Sequence, residues 1–218
     1  MEVGMKLRPH LILSIAKAAF IVSLFAISAQ AQQMIGSKAG VIQFVTGEVF
    51  LDGMPIQLAK DNYLQLENGQ VLSTRKGYAE LVLAPEAYLW LGEYGVLRMR
   101  QNKLIDIQFE ITQGSAMTYI LETINTNPIH AQVSKSLIEF KKKGWYRIDS
   151  IPGEIRVYDG IALVKDGTRI TQIKKSHLLH LNAKSTPERF NLYTTDALHR
   201  RAAQRAAEIV VWMYRSFF

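Results

Sequence analysis

The chain has 218 residues, 48% of them hydrophobic, with no cysteine and a formal net charge of +7. That length holds one core of ordinary size with room for a leader and a tail. Lack of cysteine excludes a disulfide framework and a cysteine-linked lipid anchor, leaving stability to burial, and the basic excess is too small to argue for nucleic acid without a binding motif, suiting instead solubility or loose contact with anionic polymers or a membrane surface.

Residues 1–31 read as a signal peptide. Lys6, Arg8, His10 and Lys17 flank or precede the apolar run Ala18 to Ile27, and Ala29-Gln30-Ala31 is the small-x-small pattern that a signal peptidase accepts. Cleavage after Ala31 would leave Gln32 first. Basic residues would fall from 26 to 23 and acidic ones from 19 to 18, giving +5. The alternative is an uncleaved signal anchor tethering the chain to a membrane. Lys17 interrupts Leu11 to Ile27, and what remains is shorter than the roughly 20 residues that a span needs. The expected location is therefore periplasmic or extracellular.

From Gly40 to Leu181 the pattern is that of short strands. Val41, Gln43 and Val45 alternate with Ile42 and Phe44, and Gly47 to Leu51 runs into Asp52-Gly53, a strong two-residue hairpin signal. Pro55, Ile56 and Leu58 begin the return. In the segment Asn68 to Arg100, Ala79, Leu81 and Leu83 point one way and Glu80 and Val82 the other. Leu89 and Leu91 then share a face opposite Tyr88 and Trp90. The cleanest alternation follows: Ile105, Ile107, Phe109 and Ile111 against Asp106, Gln108, Glu110 and Thr112. Ala116 to Leu121 is another strand, Glu122 to Pro128 a polar loop, and the two-residue period continues to Leu181. Gly47 to Ile56 and Gly160 to Ile170 look weakly alike, which suggests stacked or duplicated β units rather than a simple meander.

The period then changes. Asn182 to Thr195 reads as a linker. Asp196 to Ser216 reads as an amphipathic helix with Thr195 as its N-cap, Asp196 in its first turn, and Leu198, Ala202, Ala206, Ile209, Met213 and Phe217 on one stripe. The fold class is mainly β, a β-solenoid or jelly-roll-like stack of short strands with a C-terminal α-helix. That helix packs on the β body or docks on a partner or membrane surface.

Chemistry is sparse. His177 and His180, three apart on a strand, face opposite ways and cannot share a metal. Scattered Asp and Glu read as solvated strand faces. An enzyme would need several of His130, His177, Asp159 and Glu139 to converge. No catalytic residue, cofactor or metal is expected. Lys141-Lys142-Lys143 reads as a solvated turn, with contact to an anionic polymer as its alternative. Tyr88 and Trp90 are the candidate partner surface if their face is open, and core if a sheet or the helix covers it.

The run Gly69-Gln70-Val71-Leu72-Ser73-Thr74, then Glu80-Leu81-Val82-Leu83, Tyr88-Leu89-Trp90-Leu91-Gly92 and Val96-Leu97-Arg98-Met99, resembles the FecR domain. Gly114 to Met117, Lys143 to Arg147 and Val157 to Gly160 extend the likeness across Gly40 to Leu181. The resemblance implies an all-β periplasmic domain that, in iron-transport signalling, contacts the signalling domain of an outer-membrane receptor. Those regulators carry a cytoplasmic anti-sigma region ahead of a membrane span. Here only a short signal precedes the domain, so the likeness is to stand-alone exported members. The implied role is a non-catalytic interaction or sensing module of the cell envelope whose partner is another envelope protein; the alternative is an envelope carbohydrate-binding module.

Overall fold

The structure is a computed structural model that describes residues 38–59, 62–121, 128–181 and 185–216, with side chains to residue 211. The expected signal peptide, most of the expected polar loop at 122–128, and the side chains of Met213 and Phe217 on the expected stripe lie outside the described residues.

β1 (Val41–Leu51) turns through Asp52-Gly53 into β2 (Met54–Pro55), and its other end meets β3 (Leu64–Gln65). Asp52 and Gly53 both have positive φ, 50° and 78°, the geometry for which this dipeptide is favoured. β4 (Val71–Ala84) is the longest strand. One edge of it runs along β1, and the other pairs with β5 (Ala87–Leu91) through its second half and β6 (Val96–Lys103) through its first. The sheet therefore forks at β4.

β6 continues to β7 (Asp106–Gln113), and β5 to β8 (Ser115–Ile120). β9 (Ile129–Val133) and β10 (Ser136–Phe140) extend the first branch beyond β7; β11 (Gly144–Asp149) and β12 (Glu154–Val157) extend the second beyond β8. β13 (Ile161–Asp166) and β14 (Arg169–Lys174) end the first, and β15 (His177–His180) and β16 (Glu188–Arg189) the second. Pairing is antiparallel except between β7 and β9. α1 (Ala197–Ser216) follows. The fold is mainly β with a C-terminal helix, as the two-residue period and its late change predict. The expected linker contributes β16, because Glu188 and Arg189 pair with Leu178 and His177.

One core draws on both branches. Leu81, Leu89, Ile107, Phe109, Ile111, Ile148, Ile155 and Val157 are all fully buried in it. The alternation read across 105–111 thus buries the expected face, except that Ile105 falls in the turn before β7 and is 70% exposed. The two weakly similar segments are both tight hairpins. The second turns on Gly167-Thr168, with Asp166 opposite Arg169, so its turn falls one residue later relative to its Asp-Gly pair than in the first.

Tyr146 shows how the core treats a polar atom. Its ring packs 4.8 Å from that of Phe140, and its hydroxyl donates to the Lys142 carbonyl and accepts from the Ile161 N–H at 3.2 Å. The hydroxyl also explains Gly160, where a Cβ would lie 2.2 Å from it. Burial pushes the phenol pKa up to about 12, against the opposing pull of its backbone hydrogen bonds. The native state thus holds its proton to higher pH than the unfolded chain, which titrates near 10. The contribution is whole below pH ~10 and is lost as pH rises through ~12. Urea unfolding at pH 9 and pH 11.5 should show a loss of about 2 kcal/mol that Tyr146→Phe lacks, while that variant loses about 1 kcal/mol at neutral pH.

Candidate interaction surface

The second branch has a distinct outer face. Strand alternation sends Leu89, Ala116, Ile148 and Ile155 into the core, and so turns Tyr88, Trp90, Met117, Tyr119, Trp145 and Tyr158 outward. Tyr88 lies opposite Tyr119 on β8, and Tyr119 opposite Trp145 on β11. The rings form a row: Tyr119 to Trp145 at 4.4 Å, Trp145 to Trp90 at 5.7 Å and Trp90 to Tyr88 at 6.2 Å, all stacked. Offset stacking of this kind adds about 0.5–1.5 kcal/mol per pair beyond burial.

α1 lies over this row. Leu198, Ala202, Ala206 and Ile209 are buried against Trp90 and Met117, the stripe that helical spacing predicts. Small side chains at Ala202 and Ala206 let the helix axis approach the rings. Of the two readings of the Tyr88 and Trp90 face, this is the covered one: Trp90 is only 3% exposed beneath the helix, while Tyr88 stays half-buried at the edge.

The helix is fixed at two places. At its start Asp196, rather than Thr195, is the cap: its Oδ1 accepts from the His199 N–H at 2.9 Å. Its Oδ2 accepts from Arg147 Nη1 at 2.6 Å. Burial raises the Asp196 pKa, but the His199 N–H and Arg147 outweigh it and leave the carboxyl below its usual range. Arg147 in turn donates through Nε to Asp149 at 2.8 Å, and Arg156 joins Asp149 at 3.0 Å and Glu154. Burial works against the Arg147 charge, and the bonds to Asp149 more than offset it, holding its pKa above the ordinary value. His199 packs edge-on to Tyr158 at 4.6 Å; burial lowers its pKa, partly opposed by Asp196.

Just past the midpoint of the buried stripe, Arg205 reaches the sheet. Its Nε donates to Glu80 Oε2 at 2.8 Å and its Nη2 to Oε1 at 3.0 Å. The same carboxylate accepts the Trp90 Nε1–H at 2.7 Å and Gln43 Nε2 at 2.8 Å. Its hydrogen bonds to Glu80 are the first cause of a raised Arg205 pKa. The Arg205 guanidinium also sits 4.8 Å over the Phe44 ring, and that of Arg201 4.5 Å over Tyr78.

Glu80 is the residue that sequence reasoning misplaced. It is 1% exposed rather than on a solvated face, and Asp149 and Glu154 are buried likewise. The available signal was joint: Glu80 shares the Trp90 face, and Arg205 lies between Ala202 and Ile209 on the buried stripe.

Grooves open on both flanks of α1. One of about 500 Å³ lies between Gln43, Tyr63, Tyr88 and Arg205. The other, about 650 Å³, has Tyr119, Trp145 and Tyr158 as its floor and Ala203, Ala207 and Val210 as its wall. Beside the second is a hollow of about 620 Å³ among Lys141, Lys142, Lys174 and Lys175. The lysine run is exposed in the turn between β10 and β11, as expected. Lys141 bonds Glu139 at 2.8 Å and Lys175 bonds Asp159 at 3.1 Å.

Of the histidines and acids weighed for catalysis, two share a strand pair and the other two lie outside it. His130 lies opposite Glu139 in β9 and β10, Asp159 faces Lys175, and His177 Nδ1 lies 2.9 Å from the Lys175 carbonyl. His180 lies 3.4 Å from both Glu154 and Glu188. Among the described residues no group of three or more His, Cys, Asp or Glu is placed to hold a metal ion, and no helix is long and apolar enough to cross a membrane.

No protein-family model matches the chain, and no curated protein matches it. Among solved structures it is similar to two crystal structures, at 2.50 Å and 1.65 Å, of a candidate anti-sigma factor from Parabacteroides distasonis. Each has 11% identity and a TM-score of 0.47, with 56% of this chain covered. The match spans 60% of that protein's chain, less than two thirds of its length.

Proposed function

We propose that this protein is an exported, FecR-like, non-catalytic interaction and sensing module of the cell envelope, working in the periplasm or outside the cell. The observation that carries the reading is the aromatic row: four stacked rings on one sheet face, roofed by a single helix, with a groove on either flank. Aromatic rings with an apolar body and a polar tip are the side chains that dominate protein-binding sites. The FecR likeness of Gly69 to Met99 and the signal-like residues 1–31 support the same role and its location. The partner is another envelope protein.

A photo-reactive residue at Tyr119, on the groove floor, should cross-link one discrete envelope protein in cells, while the same residue at Ile105, exposed at the turn before β7, should not. Equal cross-linking from both positions would remove this reading.

The lysine hollow beside the Trp145 groove favours a second reading, binding of an acidic envelope polysaccharide. In that case affinity falls steeply with salt and is lost when Lys141, Lys142 and Lys143 are neutralised.

A further inference from the structure

The contacts beneath α1 divide unevenly between sheet and helix. Glu80 keeps two donors that belong to the sheet itself, Trp90 at 2.7 Å and Gln43 at 2.8 Å. Removing the helix therefore opens the carboxylate to water without stripping it of partners. The helix contributes two guanidinium groups, Arg205 on Glu80 and Arg201 over Tyr78, with two alanines and two larger apolar side chains on the docked face. Residues 191–196, which lead into it, form no strand, and the hinge lies beyond Phe190, whose N–H donates to the Ser176 carbonyl at 3.2 Å. Of the rings below, Trp90 is buried, while Tyr88, Tyr119 and Trp145 are half-buried and reach the grooves on the flanks.

We infer that α1 is an exchangeable cover: the aromatic face around Glu80 is a receptor for an amphipathic helix of a partner protein, and α1 fills it in cis until that helix arrives. The partner helix is specified by what α1 presents. It carries small residues four apart, to approach the Trp90 and Met117 surface, and an arginine just before the second of them, to reach Glu80. An acidic group in a face lined by aromatic rings selects a cationic helix over an acidic one, and a helix laid in an apolar groove is a recurring recognition mode. This inference rests on the interaction-module reading and names its partner chemistry.

The probe is a fluorescein-labelled synthetic peptide of residues 196–216, titrated into the purified full chain. Arg205→Ala in the chain weakens the cis helix and leaves Glu80 and the rings intact, so it should bind the peptide at least tenfold more tightly than the unaltered protein. Adding Glu80→Gln to that variant should take away at least tenfold. Asp196→Asn, which loosens the other end of α1, should also tighten peptide binding.

The inference is overturned if neither Arg205→Ala nor Asp196→Asn binds the peptide more tightly, or if binding ignores Glu80→Gln. Loss of the strand signal in both variants also overturns it, since α1 would then be an integral part of the body. Concentration-dependent dimers of the unaltered chain that exchange α1 would assign the face to a second copy instead. A failed cross-link from Tyr119 in cells would remove the envelope role but leave peptide exchange standing, because the titration needs no envelope component.

Discussion

Glu80→Ala is expected to release α1 from the sheet. With the helix in place the substitution leaves three donors without their acceptor: the Trp90 indole, the Gln43 amide and the Arg205 guanidinium. Removing one partner of a buried ion pair costs about 3–5 kcal/mol, and Arg205, at 26% side-chain exposure, places this case at the lower end. The chain has an escape that a core residue lacks. Undocking the helix returns both the guanidinium and the indole to water. Hydrogen exchange should therefore show α1 amides losing at least 100-fold protection while the strand amides of β7 and β8 stay protected, and tryptophan emission should shift to the red. Glu80→Gln, which keeps an acceptor oxygen but not the charge, should fall between. Equal loss of protection in helix and strands would mean that the pair stabilises the whole body.

That partition bears on what a reader of the sequence can see. The strands were legible because Leu81 and Leu83, Leu89 and Leu91, and Ile107, Phe109 and Ile111 repeat every two residues, and a one-residue slip would expose every one of them. The helix was legible because Leu198, Ala202, Ala206 and Ile209 repeat at helical spacing. Burial of the Tyr88 and Trp90 face was not, since a period of two marks two faces without saying what lies on the second. Glu80 was hidden for the same reason. A lone acid on a strand is most often solvated, and its partner lies 125 residues later in the chain. The fork at β4 was equally out of reach. It follows from the register by which residues 71–73 meet β6 while 79–84 meet β5, and pairing partners leave no local trace in composition.

Phe109→Ala tests the other half of the molecule and should behave differently. Phe109 is fully buried in the middle of β7, stacked with Phe140 at a ring distance of 6.5 Å. Its backbone is held on both sides, opposite Met99 on β6 and Ala131 on β9. Strands pinned by ladders on both edges cannot close in on the space that a lost ring leaves, so the cost should sit in the range for an uncollapsed cavity, about 3–5 kcal/mol. That is a large share of the roughly 5–15 kcal/mol that holds a domain of this kind together. The urea midpoint should fall by about 2 M, with little change in slope, and Phe109→Leu should recover most of the loss. Because the cavity opens in the core shared by both branches, strand ellipticity and α1 protection should fall together. A variant in which α1 alone is lost would contradict the single core drawn from both branches. The two substitutions thus separate by pattern, Glu80→Ala acting on the helix and Phe109→Ala on everything beneath it.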